Sequence, residues 1–151
     1  MIQFREVDKS NYMDCLCLKV KESQKGFVAD NAQSLVEARF EEGLFTRAIY
    51  ADDTLVGFLL FDYDCTIPGW SLSRFMIGQQ YQGQGFGKEA VKAFLRYMKE
   101  EMQVAEIYIS VEIENIPAAE MYKKIGFTFV KSVEYEFDGV TYRENQMKIR
   151  L

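Results

Sequence analysis

The sequence predicts an α/β (α+β) fold: a mixed, largely antiparallel central sheet of about seven strands, flanked by about four helices. Three observations carry this. Short runs of alternating or continuous apolar residues are punctuated by turn signals at Asp52-Asp53, Pro68-Gly69 and Asp138-Gly139. Between Gly87 and Met102, apolar residues recur every three or four positions, the stripe of an amphipathic helix. Pro117 and Gly126 bracket a short helix, proline inside its start and glycine at its end.

Taken in order, Ile2 to Val7 alternates in polarity and predicts a strand. Ser10 is a candidate cap for a helix running to about Val20, with Tyr12, Leu16 and Val20 on one face. Asp30 or Asn31 caps a second helix, with Leu35, Val36 and Phe40 inward. Arg47 to Ala51 and Thr54 to Tyr63 read as paired strands, and Trp70 to Ile77 as the next. The helix from Gly87 buries Ala90, Val91, Phe94, Leu95 and Met98. Glu106 to Val111 is a compact apolar strand, and Phe127 to Ile149 a hairpin turning at Asp138-Gly139. There is no repeat and no linker, so residues 1–151 are expected to form a single domain.

Composition narrows the chemistry. Of 151 residues, 48% are hydrophobic and 27% charged, the balance of an ordinary soluble protein. The net charge of −5, without a long basic run, argues against nucleic acid as a partner. The chain has no histidine, which excludes a Ser/His/Asp or Cys/His triad and any histidine-containing zinc site; no metal is expected. The three cysteines, Cys15, Cys17 and Cys65, have neither metal nor redox spacing. With charge from Arg5 onward and no long apolar run, the first residues predict no secretory signal, so a cytoplasmic chain with reduced thiols is expected, away from the membrane.

One stretch carries the functional signal: Gln82-Gly83-Gln84-Gly85-Phe86-Gly87-Lys88, between a strand and a helix. Amides at a helix N-terminus point outward unpaired, and glycines let phosphate oxygens approach them. A P-loop does not fit, because Gly83 and Gly87 are one residue too close and Glu89 stands where a hydroxyl is needed. Gly85-x-Gly87-x-x-Ala90 matches the dinucleotide fingerprint literally. It lies past the middle of a short chain, after antiparallel-looking strands, where that fold does not put it.

The third template is Q-x-x-G-x-G, met by Gln82, Gly85 and Gly87. Together with Arg74-Phe75-Met76-Ile77 before it and Asn115-Ile116-Pro117-Ala118-Ala119-Glu120-Met121-Tyr122-Lys123-Lys124-Ile125-Gly126-Phe127 after it, the chain resembles the GCN5-related N-acetyltransferase (GNAT) family over essentially its whole length. The resemblance implies acetyl-CoA as cofactor and an acetyl-CoA-dependent N-acetyltransferase activity. It implies that Gln82, Gly83, Gln84, Gly85, Phe86, Gly87 and Lys88 hold the pyrophosphate. It also implies that Phe75, Met76 and Ile77 run beside the pantetheine arm, that Asn115 bonds that arm, and that Tyr122 protonates the leaving thiolate. Lys124 is a further candidate for the phosphates.

The base is the open point. Several polyamine-acetylating relatives carry an acid where this chain has Ser73, which cannot serve. Glu112, Asp62 and Asp64 are the substitutes, directly or through water, with Glu112 preferred at the end of its strand; the alternative is no dedicated base, with ordered water carrying the proton. Gln24 to Leu35 looks like a pattern of bacterial spermine/spermidine acetyltransferases. Accordingly Phe27 and Trp70 are expected to pack an aliphatic chain, and Glu37, Glu41, Asp62 and Asp64 to attract ammonium groups beside Ser73. The expected partner is a small-molecule amine, a polyamine first. Another amine (peptide, amino acid or antibiotic) and a non-catalytic acyl-CoA sensor are the alternatives. By analogy with the family a homodimer is expected, with Thr141 to Ile149 pairing across it.

Overall fold

The computed structural model describes all 151 residues. In chain order they form β1 (Ile2–Arg5), α1 (Tyr12–Cys17), α2 (Asn31–Phe40), β2 (Leu44–Ala51), β3 (Thr54–Asp64), β4 (Gly69–Ile77), α3 (Phe86–Glu100), β5 (Glu106–Glu112), α4 (Ile116–Ile125), β6 (Thr128–Phe137) and β7 (Val140–Arg150), with single 3₁₀ turns at Glu22–Gln24 and Gln79–Tyr81. The strands make one seven-stranded sheet in the order β1-β2-β3-β4-β5-β7-β6. Every neighbouring pair is antiparallel except β4 and β5. This is the α+β GNAT fold that the sequence predicts.

The sheet buries both faces. Ala90, Val91, Phe94 and Met98 of α3 and Tyr122 of α4 pack with Ile49, Leu59, Phe61 and Ile109 on one side. Cys15 and Leu18, with Leu35 of α2, cover Ala48, Phe58 and Leu60 on the other.

Three expectations need correction. The first helix ends at Cys17, because the chain then turns extended at Leu18 and Lys19 offers its carbonyl to the Gln79 amide at 2.8 Å. Ser10 does not cap it; its amide and hydroxyl both bond Asp8, at 2.7 and 2.6 Å, and Tyr12 is exposed. On α2, Asp30 is the cap, accepting the Gln33 amide at 2.7 Å. Val36 and Phe40 point to solvent at 58% and 79% exposure. Asn31, Ser34 and Glu37 face inward instead, because the sheet presents Arg74 there and a polar helix face answers it. Finally, β7 is flanked on both edges, by β5 and β6, so it has no edge left for a second copy. The free edge at that end of the sheet belongs to β6.

Candidate functional site

The parallel pair at the middle of the sheet positions the site. β4 and β5 are in register only at Trp70↔Ile107 and Ser71↔Tyr108. Beyond Ser71 the two strands diverge, and β4 loses its partner on that edge. A cavity of about 400 Å³ opens between them, lined by Leu72 to Ile77 on one limb and Ile109 to Glu112 on the other.

β4 is also irregular. Its register with β3 slips between Leu60↔Arg74 and Phe61↔Leu72, leaving Ser73 as the extra residue of a bulge. As a result Ser73 and Arg74, though adjacent, both face α2. Ser73 Oγ donates to Asp62 Oδ1 on β3. Arg74 bonds Ser34 Oγ at 3.1 Å and pairs with Glu37 Oε2 at 2.6 Å. After the bulge the alternation resumes in the shifted phase, with Phe75 and Ile77 packed toward α3 and Met76 toward α1.

At the top of β4 the chain enters the glycine-rich loop. Gly83 and Gly85 have φ of +77° and +88°, and a side chain at either would meet no protein atom within 4 Å. The first loop-to-helix bond is Glu89 N–H to Gly85 C=O, at 3.1 Å. The amides of Gly83 through Lys88 therefore donate to no protein acceptor, forming a run of outward donors at the positive end of α3. Such a nest fits a pyrophosphate. The open edge of β4 fits an extended, amide-bearing arm. Gln82 fixes the loop from behind. Its Nε2 donates to the Ile77 carbonyl at 2.9 Å, and its amide pairs reciprocally with Gln24, at 2.9 and 3.1 Å.

Across the cavity, Asn115 stands at the N-cap of α4 without using its side chain as a cap. Its amide is thus free toward the cavity it lines. Tyr122 is buried edge-to-face on Phe127, ring centroids 5.4 Å apart. Its hydroxyl has no protein partner, and no side-chain oxygen in the protein is sealed away unpaired, so it opens onto the cavity. Burial pushes the Tyr122 phenol well above its ordinary pKa of 10.0, so it is protonated at neutral pH.

One carboxylate lines the cavity and two more stand near its wall. Glu112 lines the cavity at the end of β5 and lies directly opposite Glu144 on β7. Its pKa is raised, first by burial and then by the Glu144 charge. Asp62 is raised too, again by burial first; the Ser73 hydrogen bond and Arg74 work the other way, and Asp64 adds to the rise. Asp64 itself accepts from Thr66 in a turn.

Of the residues expected at the site, Phe27, Ser73, Phe75, Met76 and Ile77 line the cavity. So do Gln82, Gly83, Gly85, Gly87, Lys88, Glu112, Asn115 and Tyr122. Gln84 turns back to bond the Gln80 carbonyl at 3.2 Å, and the Phe86 side chain packs into the α3 core. Neither Glu37, which is tied to Arg74, nor Asp62, which is bonded by Ser73, lines the cavity. Trp70 sits where β4 is still paired, inside a cluster with Phe45, Phe61 and Tyr63. Glu41 and Lys124 are exposed. Sequence reasoning missed Gln24, Arg74 and Met121, all of which line the cavity. Gln24 opens the stretch that carries the subfamily pattern, which was the available signal.

An amide nest fit for phosphates, beside an open strand edge fit for an extended arm, is what an acyl-CoA transferase requires. The chain belongs to the acetyltransferase (GNAT) family, whose model matches residues 11–127. It is an N-acetyltransferase of that family, and the family's cofactor is acetyl-CoA. It is similar to the spermine/spermidine N(1)-acetyltransferase of Bacillus subtilis (strain 168), 28% identical over 150 residues that cover 95% of this chain and 98% of that protein. A shorter match, 37% over 62 residues, relates 40% of the chain to 37% of an N-alpha-acetyltransferase from Sulfurisphaera tokodaii. The structure of spermidine N-acetyltransferase from Vibrio cholerae in complex with CoA and spermine shares the fold. Its TM-score is 0.76 at 17% identity, covering 99% of this chain and 95% of that one. No helix of the chain is long and apolar enough to cross a membrane.

Proposed function

We propose that this N-acetyltransferase acts on a small-molecule amine, a polyamine such as spermine or spermidine, by direct attack in a ternary complex. The observation that carries the reading is the make-up of the cleft: an amide nest beside an open strand edge, with the Glu112 carboxylate on the facing wall and Asp62 behind Ser73. The near full-length likeness to the Bacillus enzyme supports the same acceptor class. Arg74 on the cleft wall does not repel a cation, because Glu37 neutralises it at 2.6 Å.

Bound acetyl-CoA supplies the activated thioester. The amides of Gly83 to Lys88 hold its pyrophosphate, with the Lys88 ammonium beside them. The open edge of Phe75 to Ile77 holds the arm in strand fashion, and a backbone amide there polarises the carbonyl. Asn115 orients the arm from α4. Tyr122 Oη holds the proton that the departing sulfur takes. An ammonium of pKa about 10.4 must lose a proton first, at a cost of about 4 kcal/mol at neutral pH. Glu112 on the cleft wall and Asp62 behind Ser73 are the carboxylates at hand for that proton.

All seven strands lie in one sheet, which supports residues 1–151 acting as one unit. Three free cysteines fit a reducing cytoplasm. A homodimer belongs to the same proposal, through the unpaired outer edge of β6, where Phe129, Tyr135 and Phe137 are exposed.

The test is thiol release from acetyl-CoA across a panel of amines. A second ammonium held by a carboxylate is worth about 1 kcal/mol, so kcat/KM for spermidine should exceed that for a monoamine about fivefold or more. Equal rates for monoamines, or a preference for peptide amines, would sink the polyamine reading.

A further inference from the structure

Resting on the amine-acetylation reading above, we infer that Asp62 takes the proton of the acceptor amine through the Ser73 hydroxyl. Ser73 is the bulge residue of β4, two positions before the open edge of Phe75 to Ile77 on the same limb of the cleft. It lines the cavity, and its hydroxyl already points its proton at Asp62 Oδ1 on the neighbouring strand. Asp62 does not line the cavity, whereas the Ser73 hydroxyl bonded to it belongs to a residue that does.

The step balances. As an amine N–H proton passes to Ser73 Oγ, the Ser73 hydroxyl proton passes to the Asp62 carboxylate. An ammonium and a carboxylate become a neutral amine and a neutral acid, and the serine ends as it began. The amine lone pair is then free to form the new N–C bond, while the C–S bond breaks toward the proton on Tyr122 Oη. Asp62 later returns its proton to water.

The surroundings favour a carboxylate that can hold a proton. Asp62 is half-buried, with Asp64 nearby on its own strand. Its register partners are Leu44 on β2 and Ser71 on β4, neither of them charged. The one cation facing it is Arg74, whose charge Glu37 of α2 already answers. This gives Ser73 and Asp62 the proton-accepting role that the sequence reading assigned to Glu112. It leaves Glu112, opposite Glu144, to hold an ammonium group.

The test compares Asp62→Asn and Ser73→Ala with the wild-type chain at saturating acetyl-CoA and saturating spermidine. At pH 7 each variant should lose kcat by about a hundredfold, and the double variant should lose no more than either single. The loss should shrink as pH approaches about 10, where the amine deprotonates unaided. It should be absent with a weakly basic amine that is already neutral at pH 7, a result that also shows each variant to be folded. Ser73→Asp in the Asp62→Asn background should recover kcat. A raised KM for spermidine with kcat and its pH profile unchanged would overturn the relay, making Asp62 an ammonium site only. A wild-type chain that acetylates no amine would take down the functional reading, and this inference with it.

Discussion

Gly57 is the residue on which the shape of the cleft wall depends most narrowly. It pairs with Ile77 across β3 and β4. A Cβ built there would lie 2.5 Å from the Met76 carbonyl oxygen and 2.9 Å from Ile77 Cδ1. The isoleucine methyl can rotate aside, but the carbonyl is backbone. Bringing the contact out even to 3.0 Å, a distance real Cβ atoms essentially never go below, moves the end of β4 by about 0.5 Å. Gly57→Ala should therefore carry an overpacking penalty of about 1–3 kcal/mol. In a chain of this size that lowers Tm by about 2–12 °C. The displaced segment is the wall along which the cofactor arm runs, so kcat should fall by about tenfold as well. Thermal melts of the free protein, calorimetric titration with CoA and steady-state kinetics measure the three effects. Gly87→Ala is the matched control for the melt alone, because Gly87 belongs to the phosphate loop. Its Cβ would sit 3.6 Å from Met121 Sδ, an ordinary contact, and its φ needs no glycine. If Gly57→Ala melts with the wild type and binds CoA equally, β3 and β4 do not approach as described, and the reasoning fails.

Three further outcomes follow from the site. Tyr122→Phe keeps the buried ring on Phe127, so Tm should hold while kcat drops about a hundredfold; an equal fall in both would mean that the tyrosine is structural. Gly85→Ala forces a side chain to φ +88° and should destabilise the chain by about 1 kcal/mol, with CoA affinity falling as the amide nest opens; unchanged affinity by calorimetry would place the phosphates elsewhere. Burial and Glu144 hold the Glu112 pKa above its ordinary 4.5, so the folded chain binds that proton more tightly than the unfolded one. That stabilisation is full below pH 4.5 and is lost as pH rises through the folded value. Ionised Glu112 thus opposes folding at pH 7, and Glu112→Gln should raise Tm there but not below pH 4.5. A Tm gain independent of pH would contradict this.

Periodicity and turn chemistry made the framework legible before any coordinates. The α3 stripe, the Asp138-Gly139 hairpin and the Pro117–Gly126 helix are local patterns, and each appears where its pattern lies. The glycine loop was legible for the same reason, since amides at a strand-to-helix junction are exposed whatever surrounds them. What local pattern does not carry is pairing between distant strands. Val36 and Phe40 look like core residues until Arg74, forty residues away from Ser34, turns the inner face of α2 polar. The tail strand looks free to pair with another copy until β6 folds back along its far edge.

The proton path shows the same limit at the resolution of one residue. In a linear reading, Ser73 is a vacant position where related enzymes carry an acid, and Asp62 is a carboxylate eleven residues upstream on another strand. A regular β4 would send Ser73 and Arg74 to opposite faces of the sheet. The register slip at Leu60/Phe61 sends both toward α2, and the Ser73 hydroxyl meets Asp62 there. No side-chain pattern within β4 announces a bulge, because it is a property of the pairing with β3. The carboxylate that a search along β4 fails to find is supplied across the ladder, and the serine becomes its route into the cleft.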